Sequence, residues 1–399
     1  MPVRQNDLDS ARLSTLRTAL TIAAVALTAL LSINAAALAD ASPTPAASPT
    51  ATPAPTVTLH AVLSATEAYT SGVNAIGSFD TPTGADLTSR FNVSNAFVLL
   101  NKTSGTLQFA LQAGAYSIPT VGIAGNKTIQ TNANTDLFGP VPLADVSYVP
   151  NSNFSMSAGI LATLTGSEST FTYLNWNIQR GAVWNVENAV SRGVRATFTS
   201  GKAVAVLGAN DGYYSGKYGA AEAGLTYAPD PSESLLFVWL DPNSRTPGNP
   251  TTSIANKELF NLVYTRTSGN VQLAPYVLWA RSPAASGLGF TTSESAFGAA
   301  ILANVKWNGS FSTALRLETL HNGSSAGDTS LNADLIGYGA GSGISTFTIT
   351  PSWSLGHGAF VRADFSSAQV TGAAPGLAFN ANGNSSHQSR IVVEVGTQI

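Results

Sequence analysis

The chain has 399 residues, 44% of them hydrophobic and only 10% charged, with 36 Gly, no Cys and a formal net charge of −3 at pH 7. The missing cysteines exclude a disulfide scaffold, a thiolate metal site and a cysteine nucleophile. Slight acidity without a basic cluster excludes a nucleic-acid surface.

Residues 1–39 read as an export signal. Arg4, Arg12 and Arg17 precede an apolar run over 19–31, and Ala37-Leu38-Ala39 offers a small-x-small cleavage site before Asp40. That run is short of the ~20 residues a spanning helix needs, so cleavage is expected over a retained anchor. Cleavage would remove three arginines and two aspartates, leaving 16 basic and 20 acidic residues. Residues 40–56 alternate Pro with Ala, Ser and Thr, a composition that favours extended polyproline conformation and cannot build a core. They form a spacer before a folded region expected over residues 57–399, in which no apolar run could be a transmembrane helix.

From residue 57 onward the dominant signal is period-2 alternation, the mark of strands with one apolar and one polar face. Leu107, Phe109 and Leu111 oppose Gln108 and Gln112. Phe297, Ile301, Val305 and Trp307 oppose Asn304 and Lys306; Phe311, Leu315 and Leu317 oppose Arg316 and Glu318. Ile391, Val393 and Val395 oppose Arg390, Glu394 and Gln398. Only ELFNLVYTRT (258–267) leaves its two faces unsorted.

Between these runs, short turn-forming stretches alternate with longer polar ones. The short ones fall at 102–105, 150–153, 200–202, 229–233, 267–270, 308–309 and 356–358. The long ones fall near 70–89, 118–142, 165–191, 212–217, 242–257, 283–292, 322–342 and 370–387. Seven short turns and eight long loops join 16 strands. The pattern predicts an all-β fold, a transmembrane antiparallel β-barrel of about 16 strands in the outer membrane of a Gram-negative bacterium. An even strand number places both termini at the short-turn, periplasmic end. Tyr148, Phe154, Phe198, Tyr227, Trp307, Phe311, Trp353 and Phe360 all lie near short turns, as rings at a lipid interface would. The rival is a soluble secreted β-sandwich, but its sheets would need more large inward apolar residues. Here Arg316, Glu318, Arg362 and Asp364 stand at mid-strand. A barrel of this size is too wide for side chains to fill and should hold water.

One region, Gly159–Gly219, departs from the general blandness. It contains NxNIxRG at 175–181, WNxEN at 184–188, SRG at 191–193 and NDGYYS at 210–215. These motifs resemble the OmpL-like β-barrel porin family known from acidobacteria and relatives. The resemblance covers about 60 residues. It implies an outer-membrane barrel, passive passage of small hydrophilic solutes and ions, and contact with outer-membrane lipid and the assembly machinery. Trimers are common among porins of this size, though no stripe here marks a homotrimer interface. A departure is the C-terminus Gln398-Ile399, where such barrels usually end in an aromatic residue.

By analogy with general porins, whose third loop commonly folds inward, Glu168, Arg180, Glu187 and Arg192 are candidates for a constriction. Opposed charges in a narrow aqueous channel select ions by local field. The competing reading has Arg180 and Glu187 paired with each other for loop stability. Lys306, Arg316, Glu318, Arg362, Asp364, Arg390 and Glu394 should face the lumen, since a charge on the lipid face at mid-depth costs ~2–4 kcal/mol. Opposite signs two residues apart, Arg316/Glu318 and Arg362/Asp364, are expected to form neutralising ladders. The alternative function is a plugged structural or surface-interaction barrel. No enzyme, cofactor or metal is expected: His60, His321, His357 and His387 lie in separate segments without zinc or triad spacing.

Overall fold

Alternation becomes strand after strand in the computed structural model, which describes residues 57–71, 89–127, 138–241, 257–380 and 382–399. The expected signal and spacer lie outside the described residues. The first strands are β1 (Val57–Thr70), β2 (Ser89–Lys102), β3 (Leu107–Thr120), β4 (Ile123–Lys127), β5 (Leu143–Asn151) and β6 (Phe154–Ala162). Next come β7 (Val190–Ser200), β8 (Ala203–Asn210), β9 (Ala220–Asp230), β10 (Glu233–Asp241), β11 (Glu258–Ser268) and β12 (Val271–Ser282). The last are β13 (Glu294–Lys306), β14 (Phe311–Asn322), β15 (Gly343–Gly356), β16 (Ala359–Thr371) and β17 (His387–Gln398).

Each barrel strand pairs antiparallel with the next, and β1 pairs with both β2 and β17, so the sheet closes on itself. Closure is completed by Ala61 and Ile399, whose amides and carbonyls bond reciprocally at 3.0 and 2.9 Å. Sixteen strands form the ring; β4 is a short addition that pairs only with the end of β3. The sequence pattern had no sign of β4, because it lies within a long connection and buries no alternating face of its own. A closed ring leaves no strand edge unpaired, the condition for β structure in lipid.

The seven tight connections fall at the expected places, all at one end of the barrel, and β1 enters and β17 leaves at that same end. At the last of them, His357 and Gly358 take φ of 50° and 78°. A Cβ on Gly358 would stand 1.8 Å from the Gln398 carbonyl oxygen, so glycine there is a steric requirement.

Outward positions are apolar and exposed: Val146 and Tyr148, Val194 and Phe198, Leu315 and Leu317, Phe347 and Trp353. Paired rings cap several strand ends, Phe154 with Phe198 at 5.2 Å and Phe311 with Trp353 at 5.0 Å. Phe360 is the exception among the girdle candidates. It shares its strand face with the buried Arg362 and turns inward, its ring 2.7 Å from where a Cβ on Gly396 would sit. The ambiguous β11 sorts cleanly: Leu259, Asn261 and Val263 are buried inside, while Phe260 packs outside against Trp279, ring centroids 5.3 Å apart and tilted by 37°.

Inside, two apolar clusters fill part of the barrel. The larger joins Val183 and Val186 of the 163–189 connection to β10–β16, together with Leu335, Ile336, Tyr338 and Phe379 from later long connections. The smaller joins Phe171 and Trp184 to Phe97, Tyr116 and Val62 on β1–β3. The third long connection is therefore inside the barrel, wedged between opposite walls.

Candidate functional site: the third loop and the lumen wall

The loop over residues 163–189 contains only two single-turn 3-10 segments, Thr172–Leu174 and Val183–Val186. Most of its backbone groups lack partners within a regular element, and each left unpaired in a buried setting costs ~1–3 kcal/mol. Its polar residues supply part of the answer. Asn188 Oδ1 accepts from the hydroxyls of Thr163 and Thr165 at 3.0 and 2.9 Å, closing the base of the loop. Asn175 donates to the carbonyls of Ser169 and Phe171 and accepts from the Ser169 amide. Arg180, fully buried, donates to the carbonyls of Ser169 and Thr170 at 3.0 and 2.9 Å and also to that of Ile178. The second long connection adds a clasp: Arg180 N–H reaches the Pro119 carbonyl at 2.8 Å, and Val121 N–H reaches the Arg180 carbonyl at 2.9 Å.

The barrel wall supplies the rest. Asp364 on β16 accepts the amides of Ile178 and Gln179 at 3.0 and 2.8 Å. Glu318 on β14 accepts the amide of Ala182 at 2.9 Å and that of Val183 at 3.3 Å. Gly181 makes this approach achievable, since a Cβ there would lie 1.8 Å from Glu318 Oε1. Arg316 donates to Glu168 and to the Gln179 carbonyl, both at 2.6 Å, with its Nε 3.2 Å from Glu318. Arg362 donates to the carbonyls of Asn175 and Thr172 at 2.7 Å and pairs with Glu394 at 2.6 Å. Glu394 also accepts from Ser64, Ser94 and Thr172. Arg390 reaches the Thr120 carbonyl at 2.8 Å. Each wall carboxylate thus receives donors and each wall arginine finds carbonyls or acids. Hydrogen bonds with one ionised partner contribute about 1.5–3 kcal/mol each.

All seven wall residues expected to face inward do so, and six of them, Arg316, Glu318, Arg362, Asp364, Arg390 and Glu394, lie beneath the loop rather than beside open water. Lys306 is exposed and lines a cavity of ≈ 480 Å³ at the short-turn end, below Tyr173, Asn175 and Trp176. The Arg316/Glu318 ladder is present, whereas Arg362 pairs with Glu394 and not with Asp364. The reason is register: Arg362 stands directly across from Glu394 on the neighbouring strand, leaving Asp364 free to take loop amides.

The four loop residues picked from the sequence do not share one environment. Glu168, Arg180 and Glu187 are all buried, and Arg180 bonds to carbonyls instead of pairing with Glu187. Burial pulls the Arg180 guanidinium down to about 10 and pushes Glu168 above the usual carboxylate range against the opposing Arg316. The Glu187 carboxylate completes no hydrogen bond within the loop; it faces the Lys257 ammonium and the Tyr276 hydroxyl, with Gly166 packed on it. Burial raises the Glu187 carboxyl well above its ordinary value, and the nearby Glu168 adds to the rise. Burial also lowers Lys257 to about 7, with its ammonium 5.3 Å over the Tyr213 ring. Arg192 lies elsewhere, on the same strand face as the exposed Val194 and Phe198. It is held there by Asp211 at 2.7 Å and by the Tyr214 ring at 4.0 Å.

Among the described residues, one stretch of wall has no loop packed over most of its length. On β5–β9 the inward positions Asp145, Ser147, Ser157, Arg195, Thr197 and Val206 remain half-buried. Ser147 bonds to Ser157 at 2.7 Å, and Arg195 forks onto Glu222 at 2.8 and 3.2 Å. That fork spans the intervening strand β8 at Gly208, where a Cβ would sit 2.4 Å from Glu222 Oε1. Sequence reasoning missed these residues, although alternation carried the signal: Arg195 is out of phase with Val194 and Phe198 on β7.

The family described as "Putative beta-barrel porin-2, OmpL-like" matches residues 56–399. No curated relative matches the sequence. Among solved structures, the anion-selective porin from Comamonas acidovorans aligns at TM-score 0.56 and 11% identity, over 86% of this chain and 99% of its own. The outer-membrane channel DcaP of Acinetobacter baumannii aligns at 0.55 and 10%, over 86% and 97%. A trimer form of OmpT from Vibrio cholerae aligns at 0.51 and 10%, over 86% and 99%.

Proposed function

Because the chain belongs to the OmpL-like family of β-barrel porins, we propose that it forms a water-filled channel in the bacterial outer membrane. Small hydrophilic solutes and ions would cross it by passive diffusion. The observation that carries this reading is the polar, half-exposed inner face of β5–β9 within a ring whose outer face is apolar. A barrel built only as a scaffold has no need for that uncovered polar stripe.

The third loop sets the constriction by its bulk. Glu168, Arg180 and Glu187 fix its shape, and Arg192 anchors the start of β7 to the connection over 211–219. The short-turn end faces the periplasm, where residues 40–56 would extend as a spacer after removal of 1–39. The assembly machinery is a partner during insertion, and a homotrimer is the assembly this reading favours. The channel performs no catalysis; His60, His321, His357 and His387 stand apart on β1, β14, a tight turn and β17.

Purified protein added to a planar lipid bilayer should produce stepwise conductance increments. A folded, membrane-inserted barrel that stays silent would overturn the channel and favour the plugged, surface-interacting alternative.

A further inference from the structure

The geometry points to Asp145 on β5 as the residue that sets ion preference, making this channel weakly selective for cations. The inference rests on the channel reading and deepens it. It starts from a charge balance inside the barrel. Around the third loop stand five acids, Glu168, Glu187, Glu318, Asp364 and Glu394, and five bases, Arg180, Arg316, Arg362, Arg390 and Lys257. Their charges cancel when all are ionised, and all but Arg390 are buried. A balanced, covered network presents little field to a passing ion. The conspicuous charges of the third loop therefore hold the loop and leave selection to another place.

On the uncovered wall the balance differs. Arg195 is neutralised by the fork onto Glu222. Asp145 takes one side-chain hydrogen bond, from Ser147 Oγ at 3.1 Å, and no ion pair among the described residues; the field of Arg195 reaches it, but that guanidinium is already held by Glu222. On the β3 side its cross-strand neighbour is Ala110; on the β6 side it is Gly159, and the next residue in that row is Gly193. Neither glycine carries a side chain to screen the carboxylate from the lumen. A Cβ at either glycine would collide with backbone, 2.0 Å from Ala144 O and 2.3 Å from Ala209 O. The bare row beside Asp145 is thus fixed by the strand geometry itself. Among the described residues Lys306 is an opposing exposed charge, but it stands at the short-turn end of β13 beside the cavity there. Water and salt screen it over a Debye length of about 10 Å at 0.1 M.

The test is the reversal potential of single channels in a KCl gradient, with the full chain reconstituted in a planar bilayer. Wild type should reverse on the cation-selective side. Asp145→Asn should move the reversal potential toward zero. Arg195→Gln, which frees the Glu222 carboxylate, should move it the opposite way and serves should the first variant fail to insert. If wild type conducts but prefers anions, or if neither variant shifts its reversal potential, the assignment is wrong while the channel stands. If wild type inserts and does not conduct, the channel reading itself fails.

Discussion

The inner wall of this barrel has two halves built on opposite principles. On β14–β17 the inward residues are large and ionised, yet buried, because the third loop docks its amides and carbonyls onto them. On β5–β9 the inward residues are mostly small, Ser147, Ser157, Gly159, Gly193, Thr197 and Gly208, and most stay in reach of water. Charge count is therefore a poor guide to where solutes pass. In the lumen, the densest charges are structural because an irregular loop brings many backbone groups that need partners. Permeation needs room, and room is marked by glycine and serine.

The docked half is most vulnerable at Arg316. Arg316→Met leaves Glu168 and Glu318 buried without their shared cation, which should destabilise the barrel by about 3–5 kcal/mol. Urea unfolding followed by tryptophan fluorescence measures it; a loss under about 1 kcal/mol would mean the docking network contributes little. Gly181→Ala acts on the same side. Its new methyl must displace the Glu318 carboxylate from the loop amides, at a cost of about 1–3 kcal/mol, read in the same unfolding experiment.

Lys257 gives a smaller, pH-dependent effect. Its ammonium pKa falls from 10.5 unfolded to about 7 folded. Between those values the unfolded chain binds more protons, so stability rises with pH across that window. The raised pKa of Glu187 works the other way: its contribution falls as pH climbs above the ordinary carboxylate value of 4.5. Melting temperature should therefore climb from pH 7 toward 10, and Lys257→Met should remove that climb. A variant that keeps it would place the titration elsewhere. The smallest stability change belongs to the open half. Ser157→Trp should alter unfolding by no more than about 0.5 kcal/mol while lowering single-channel conductance; unchanged conductance would argue that solutes pass another wall.

Much of the architecture was legible in the sequence. Turn residues at seven places and alternation between them marked strand number, pairing and the inward face of all seven wall charges, because a period of two leaves little freedom once one face meets lipid. The site was harder to read. Asp364 and Arg362 sit two residues apart, but their partners depend on cross-strand register and on a loop arriving from 186 positions away. Arg192 looked equivalent to Arg180 in the motif region, whereas strand phase turns it outward. Glu187 and Lys257 face each other only because the third loop folds inward toward the start of β11. Such encounters are set by tertiary packing and have no local period to betray them.

Passage of solutes along β5–β9 past a fixed third loop can be probed directly because the chain contains no cysteine. Ser157→Cys and Thr348→Cys would each introduce a single thiol, one on the half-buried open face and one fully buried beneath the loop. During single-channel recording, a charged water-soluble methanethiosulfonate should change the conductance of the Ser157→Cys channel in one step and leave the Thr348→Cys channel untouched. Rapid modification at Thr348→Cys, or a conducting Ser157→Cys channel that never reacts, would contradict the account.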